Sequence, residues 1–132
     1  MNKRATGSFE VTINPLEPFN KDQGSNLGRL SIEKIFQGDL EATGKGEMLT
    51  GGDTKQGSAG YVAMEQVTGT LHGRKGSFLL QHNGSMARGA QSLSITVVPD
   101  SGSGALAGIS GAVTIKIEDG RHFYEFDYTL PG

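Results

Sequence analysis

Eight short stretches of alternating apolar and polar residues, separated by turns, constrain this chain more than any other feature. A period of two is typical of β-strands, in which successive side chains point to opposite faces. The predicted strands are residues 8–13, 28–37, 40–49, 58–71, 77–88, 93–99, 112–118 and 121–130. No window of a dozen residues keeps the i, i+3, i+4, i+7 spacing of an amphipathic helix. The sequence therefore predicts an all-β fold.

The glycines agree with strands joined by turns. The chain has 21 glycines spread along its length and only four prolines, whereas the usual share of glycine is about 7%. Asp119-Gly120 is a tight-hairpin signal, residues 50–57 have the composition of a loop, and residues 106–111 predict a compact turn or a single helical turn. Pro15 should end the first strand, and Gly84 predicts a bulge in the fifth.

Eight antiparallel strands linked in order must protect the two edges of their sheet. Closure into an up-and-down barrel removes the edges and leaves an interior that side chains fill or that holds one small ligand. We therefore predict a single domain over residues 1–132, an eight-stranded antiparallel up-and-down β-barrel of lipocalin-like architecture. A two-sheet sandwich is the competing architecture.

Charge and composition argue against several classes of partner. Twelve basic and fourteen acidic residues give a net charge of −2, without the basic excess of a nucleic-acid-binding protein. No apolar run follows the basic start at Lys3 and Arg4, and none approaches the ~20 residues that a membrane helix needs. The chain has no cysteine, which excludes disulfides and fits a reducing cytoplasm. We expect a cytoplasmic protein with no membrane partner.

Two weak motif signals do not predict a cofactor or a metal. Residues 102–107 formally match the G-x-G-x-x-G/A fingerprint of dinucleotide sites, but a strand follows where a phosphate-binding helix should begin. His72, His82 and His122 lack the close spacing of metal ligands, so a zinc site would have to assemble across strands with Glu65 or Glu125. We predict neither a cofactor nor a metal.

Polar side chains on otherwise apolar strand faces are the stronger functional signal. The three faces contain Tyr61, Ala63, Glu65 and Val67; Phe78, Leu80 and His82; and His122, Tyr124, Phe126 and Tyr128. If these faces line one interior, Glu65 lies in a mostly apolar cavity, where a carboxyl pKa is raised unless the group is paired. Glu65 and His82 are therefore the candidate catalytic residues. The candidate ligand-binding wall consists of Tyr61, Phe78, His122, Tyr124 and Phe126.

A structural interpretation of the same residues remains open. Glu65 could pair with an arginine or cap a ladder defect, and the tyrosines could close one end of the barrel. The function would then lie in an oligomeric surface formed by outward apolar side chains, namely Val62, Met64, Leu79, Val98 and Phe123. Whether the protein is an enzyme is also open.

Five segments carry a resemblance to a known family. They are residues 5–11 (ATGSFEV), 57–65 (GSAGYVAME), 71–82 (LHGRKGSFLLQH), 106–111 (LAGISG) and 122–126 (HFYEF). With them the chain resembles an uncharacterised bacterial family of unknown function built on an allene-oxide-cyclase-like β-barrel. Allene oxide cyclases and dirigent proteins share that barrel and guide cyclisation or coupling of an apolar substrate in its cavity. By fold analogy, the resemblance implies a small-molecule ligand, an isomerase- or cyclase-like activity and a homo-oligomer.

Overall fold

The computed structural model describes residues 2–131, which form nine β-strands and one short 3-10 turn. The strands are β1 (Asn2–Leu16), β2 (Leu27–Gly38), β3 (Leu40–Asp53), β4 (Ser58–Leu71), β5 (Arg74–Ala87), β6 (Ala90–Val97), β7 (Ser103–Gly104), β8 (Ser110–Glu118) and β9 (Arg121–Thr129). No helix in this range has the length and apolar character needed to cross a membrane.

Eight of the strands close into a barrel. All neighbouring pairs are antiparallel, and the order around the ring is β1, β2, β3, β4, β5, β6, β8 and β9, which pairs again with β1. The two-residue strand β7 lies outside the ring and pairs with β5. The predicted eight-stranded antiparallel barrel is therefore confirmed, and the sandwich is excluded.

Two predicted strand ends are wrong for a tertiary reason. β1 continues through Pro15, which lies opposite Leu30 in the ladder with β2. Pairing of β1 with β9 ends at Phe9, so Pro15 lies where β1 is an edge strand, and proline is tolerated there. β3 likewise continues to Asp53 through half of the predicted loop and ends at the 3-10 turn Thr54–Gln56.

The bulge predicted at Gly84 is absent. Gly84 lies directly opposite Tyr61 on β4 and Leu93 on β6, in an uninterrupted register. A Cβ at this position would lie 2.3 Å from Cε1 of Tyr61. The glycine therefore makes room for a neighbouring ring rather than breaking the ladder.

One end of the barrel, here called the closed end, is filled by side chains. It carries the turns at residues 39 and 72–73 and the connection 98–109. Its core contains Phe78, Tyr124, Phe126, Tyr128, Leu106 and Ile109, all buried. The Phe126 ring lies 5.5 Å from Phe78 and 5.3 Å from Tyr128, measured between centroids. Leu106 and Ile109 come from the compact turn predicted at residues 106–111.

Two tyrosine hydroxyls bond to the turns of the closed end. The Tyr124 hydroxyl accepts a hydrogen bond from the Leu40 amide (2.9 Å) and donates to the Gln37 carbonyl oxygen (2.9 Å). The Tyr128 hydroxyl bonds to Nδ1 of His72. Tyr124 and Tyr128 therefore hold the turns that close this end of the barrel.

The opposite end, here called the open end, is not filled. It carries the connections 17–26, 54–57, 88–89 and 119–120. Three apolar side chains that point inward are largely exposed to solvent: Ile13 (48%), Leu93 (48%) and Ile117 (65%). Inward-pointing side chains reach such exposure only where the interior is open to solvent.

Candidate functional site

A buried ionic cluster of Lys34, Glu65 and His82 lies inside the barrel. Oε1 of Glu65 is 3.2 Å from Nζ of Lys34 and 2.9 Å from Nε2 of His82. All three residues are buried, with exposed fractions of 8% for Lys34, 1% for Glu65 and 3% for His82, which is rare for ionisable side chains. The structure thus brings together the two predicted catalytic residues, Glu65 and His82. It adds Lys34, which the sequence analysis missed.

Three strands position the cluster, and a fourth makes room for it. Lys34 lies on β2, Glu65 on β4 and His82 on β5. Between the lysine and the glutamate runs β3, where Gly44 lies opposite Lys34. A Cβ on Gly44 would lie 2.2 Å from Oε2 of Glu65. The glycine therefore provides the space that the carboxylate occupies.

The cluster holds Glu65 in its ionised form. Burial by itself raises the pKa of this carboxyl, but the hydrogen bond from His82 and the charge of Lys34 outweigh burial and bring the pKa below its ordinary value of 4.5. Lys34 is further stabilised by the rings of Phe9 and Phe36, whose centroids lie 5.0 and 5.8 Å from Nζ. Pairing with His82 and Lys34 therefore prevents the rise in pKa that an unpaired Glu65 carboxyl would show at this buried position.

The ionised carboxylate also fixes the hydrogen-bonding role of His82. A carboxylate only accepts hydrogen bonds, so Nε2 of His82 must carry the proton that it shares with Oε1 of Glu65. In the neutral ring this leaves Nδ1 as the basic atom. An imidazole oriented by a carboxylate in this way can accept and return a proton.

The second carboxylate oxygen of Glu65 is unpaired. Within residues 2–131, Oε2 is the only fully buried side-chain oxygen or nitrogen without a hydrogen-bond partner. Buried polar atoms are nearly always satisfied, and each exception calls for an explanation. A free acceptor on an ionised, buried group can bind a donor supplied by a ligand.

An apolar cavity of about 330 Å³ lies at the open end, beside Tyr61. Its wall includes Met48, Met86, Leu93 and Ala59. Glu65 and His82 do not line it, but the rings of Tyr61 and His82 are 6.4 Å apart between centroids. Burial and the charge of Glu65 raise the pKa of Tyr61. Tyr61 therefore remains a neutral phenol, with a proton to donate, between the cavity and the ionic cluster.

The structure divides the predicted ligand wall between different regions. Tyr61 lines the cavity, and His122 lies across the barrel against Phe9, with ring centroids 5.2 Å apart. Phe78, Tyr124 and Phe126 are buried in the packed core of the closed end. A ligand in the cavity would reach these three only by displacing core side chains.

The three histidines lie apart from one another. His82 belongs to the ionic cluster, His72 bonds to Tyr128 at the closed end, and His122 packs on Phe9. Across the described part of the chain, no group of three or more His, Asp or Glu side chains is arranged to hold a metal ion.

Comparisons with known proteins identify relatives but no activity. A family model described as "Protein of unknown function (DUF3224)" matches residues 5–128. A protein of unknown function from the DUF3224 family, from Shewanella oneidensis MR-1, has a crystal structure and is 47% identical in sequence to this chain. The structural alignment covers 100% of this chain and 99% of the Shewanella chain, with a TM-score of 0.93. No curated protein matches.

Proposed function

The chain belongs to the DUF3224 family of proteins of unknown function, and we propose that it binds a small, partly apolar molecule at the open end of the barrel. The observation that carries this proposal is the ionic cluster beneath an apolar cavity. Along β4, Tyr61 lines the cavity, Ala63 lies opposite His82, and Glu65 is the next inward residue. Counted along the inward face of β4 from Tyr61, His82 therefore lies one position deeper in the barrel than the cavity wall, and Glu65 lies two positions deeper.

Stability alone gives a weak reason for such a cluster. Replacing buried ion pairs with apolar side chains of similar volume is often neutral or stabilising. Ionisable groups buried beside a cavity are instead a common property of binding and catalytic sites. The position of the cluster therefore favours a role toward a ligand.

The ligand's apolar part would contact Met48, Met86 and Leu93, and Tyr61 would donate a hydrogen bond to its polar part. His82 would act as general acid and base, since its Nε2 is fixed by Glu65 and its Nδ1 is basic. Glu65 would serve as the positioning residue. This arrangement supports an isomerase- or cyclase-like proton transfer on the bound molecule.

A thermal-shift screen of hydrophobic carboxylic acids and phenols tests binding, because a ligand that binds only the native state raises the melting temperature. The variant Ala59→Trp fills the cavity, whereas Val62→Trp places the same side chain on the exposed outer face of β4. We expect some compounds to raise the melting temperature of the wild type. The same compounds should no longer stabilise Ala59→Trp and should still stabilise Val62→Trp. Hits that Ala59→Trp retains in full would place the ligand elsewhere, and no hits would count against binding.

A second candidate function is a non-catalytic homo-oligomer. It is favoured by exposed apolar side chains on the outer faces of β3 and β4, where Leu49 lies opposite Val62 and Met64 lies two residues further along. A subunit contact could cover this patch. Size-exclusion chromatography with light scattering tests it: a monomer at micromolar concentration argues against it, and an oligomer broken by Val62→Lys supports it.

A further inference from the structure

The barrel wall has a gap between β6 and β8 at the open end. These strands share one backbone pair, Thr96 with Ala112. On its other edge, β6 pairs with β5 along its whole length, from Val97 opposite Leu80 to Ala90 opposite Ala87. Beyond Thr96 and Ala112 the facing edges of residues 90–95 and 113–118 form no backbone pairs with each other, and the gap is this unpaired stretch of the wall.

Lack of a connecting hairpin does not explain the gap. β1 and β9 are also not joined by a turn, yet they pair continuously from Asn2 opposite Thr129 to Phe9 opposite His122. An Arg4–Asp127 bond of 2.7 Å supports that junction. The β6–β8 junction has no such pairing, and β6 reaches β8 through the long connection 98–109. It can widen without breaking a hairpin turn.

Side-chain exposure changes sharply where the backbone pairing of β6 and β8 ends. On β6, the inward residues Ile95 and Val97 near the joined part are 2% and 7% exposed, whereas Leu93 is half exposed. On β8, Ile115 is partly buried and Ile117 is exposed. Apolar side chains thus flank the gap on both sides.

The gap also borders the cavity. Gln91, Ser92 and Leu93 of β6 form one wall of the cavity, and the opposite edge of the same residues faces the gap. A molecule between β6 and β8 would therefore reach the cavity and Tyr61 directly.

The side chains at the gap disfavour its use for docking another strand. Lys116 and Glu118 stand exposed on β8 and Ser92 and Ser94 on β6. Charged side chains on an open strand edge are a recognised protection against edge-to-edge pairing. A small molecule fits this edge better than a protein strand does.

We infer that the β6–β8 gap is the entrance to the cavity and that Leu93, Ile115 and Ile117 hold the apolar end of the ligand. This inference rests on the proposed function. It adds a class of ligand, namely an elongated molecule whose polar end reaches Tyr61 and whose apolar end lies in the gap. Binding through this entrance requires that β6 and β8 are not held together along residues 90–95 and 113–118.

The test closes the gap with a covalent link. Extending the Thr96–Ala112 register places Ser94 opposite Thr114, and both are exposed. The chain has no native cysteine, so Ser94→Cys/Thr114→Cys can be cross-linked selectively with bis-maleimidoethane. The matched control is Asn83→Cys/Ser94→Cys, which joins residues already paired across β5 and β6. The probe is anilinonaphthalene sulfonate, followed by stopped-flow fluorescence.

We expect the cross-link across the gap to slow probe association roughly tenfold or more, and the control cross-link to leave it unchanged. Equal association rates before and after cross-linking the gap would overturn the entrance while leaving the proposed binding function intact. Equal slowing in the control would also overturn it. A probe that fails to bind even the wild type would overturn the proposed function, and the entrance with it.

Amide hydrogen exchange gives a second readout that needs no cross-link. Amides that lack a partner across the gap exchange quickly, so we expect the gap-facing amides of residues 90–95 and 113–118 to exchange faster than the amides of β4, which is paired on both edges. Saturation with the probe should slow exchange in the same residues. Exchange at the gap as slow as in β4, or unaltered by the bound probe, would contradict the inference.

Discussion

The two ends of this barrel are built from the same strands but use their inward side chains differently. At the closed end, aromatic side chains fill the interior, and tyrosine hydroxyls bond to the turns. At the open end, inward Ile and Leu side chains are exposed to solvent, and the barrel wall is unpaired between β6 and β8. The Lys34–Glu65–His82 cluster lies between the two regions. Stability therefore rests mainly on the closed end, whereas the binding that we propose would take place at the open end, and substitutions can separate the two.

The largest expected effect comes from the packed core. Phe126→Ala should lower the free energy of unfolding by about 3–5 kcal/mol, because it leaves a cavity between Phe78 and Tyr128. Leu93→Ala, at the half-exposed rim of the open end, should cost less than about 1 kcal/mol. Urea denaturation measures both. Similar losses for the two variants would remove the distinction between the ends.

The ionic cluster should be costly to break and easy to replace. Glu65→Leu leaves Lys34 buried without its counter-charge and should cost about 3–5 kcal/mol. The triple variant Lys34→Met/Glu65→Leu/His82→Leu should recover most of that loss, because apolar side chains pack without desolvating charge. Denaturation of the single and triple variants measures this. If the triple variant is as unstable as the single one, the cluster stabilises the fold and its link to binding weakens.

Loss of the Tyr124 hydroxyl should have a moderate effect. Tyr124→Phe leaves the buried Leu40 amide without its acceptor and should cost about 1–3 kcal/mol. Tyr61→Phe, at the cavity, should cost about 0.5 kcal/mol or less. Thermal denaturation of both variants provides the measurement. A larger loss for Tyr61→Phe would show that the open end supports the fold as much as the closed end does.

Acid should weaken the protein partly through Glu65. The pKa of this carboxyl is below its ordinary value of 4.5 in the folded state. The stability that the ionised carboxylate contributes is therefore fully present above pH 4.5 and is lost as the pH falls through the lower, folded-state pKa. Glu65→Gln should therefore show a shallower fall of stability with acid than the wild type. Denaturation at a series of pH values measures the slopes, and equal slopes would contradict the assigned pKa shift.

Gly84→Ala should have only a small effect on stability. The new Cβ meets the Tyr61 ring, which can turn into the cavity, so the cost should stay within about 1 kcal/mol while probe binding falls. Gly7→Ala at the closed end is the contrast, because its Cβ would lie 2.0 Å from the backbone oxygen of Gln37. Melting temperatures and probe titrations on both variants test this, and a larger loss of stability in Gly84→Ala would reverse the comparison.

Local patterns predicted what depends on local geometry. The period of two correctly grouped the residues that share a face on β4, β5 and β9, and the structure places those faces inside the barrel, where Glu65 and His82 meet. Lys34 was missed although it alternates in step with Ile32 and Phe36, because a lysine in a strand is usually exposed. Its position on the same face as two buried neighbours was the signal that could have found it.

What the sequence could not predict depends on neighbours distant in the chain. Pro15 is tolerated because the pairing of β1 with β9 ends at Phe9, and Gly84 makes room for the ring of Tyr61. The gap between β6 and β8 depends on where the long connection 98–109 brings the chain back into the barrel. None of these relations is encoded in the residues next to the feature itself.

The pairing of β1 with β9 has a practical consequence for handling the protein. Asn2 lies opposite Thr129, so both strands end side by side at the closed end, away from the cavity. A tag or surface tether attached at either position would leave the open end facing solvent. A short linker between them, with new termini at the exposed Asp119-Gly120 turn, would give a circular permutant with its free ends beside the ligand's proposed route.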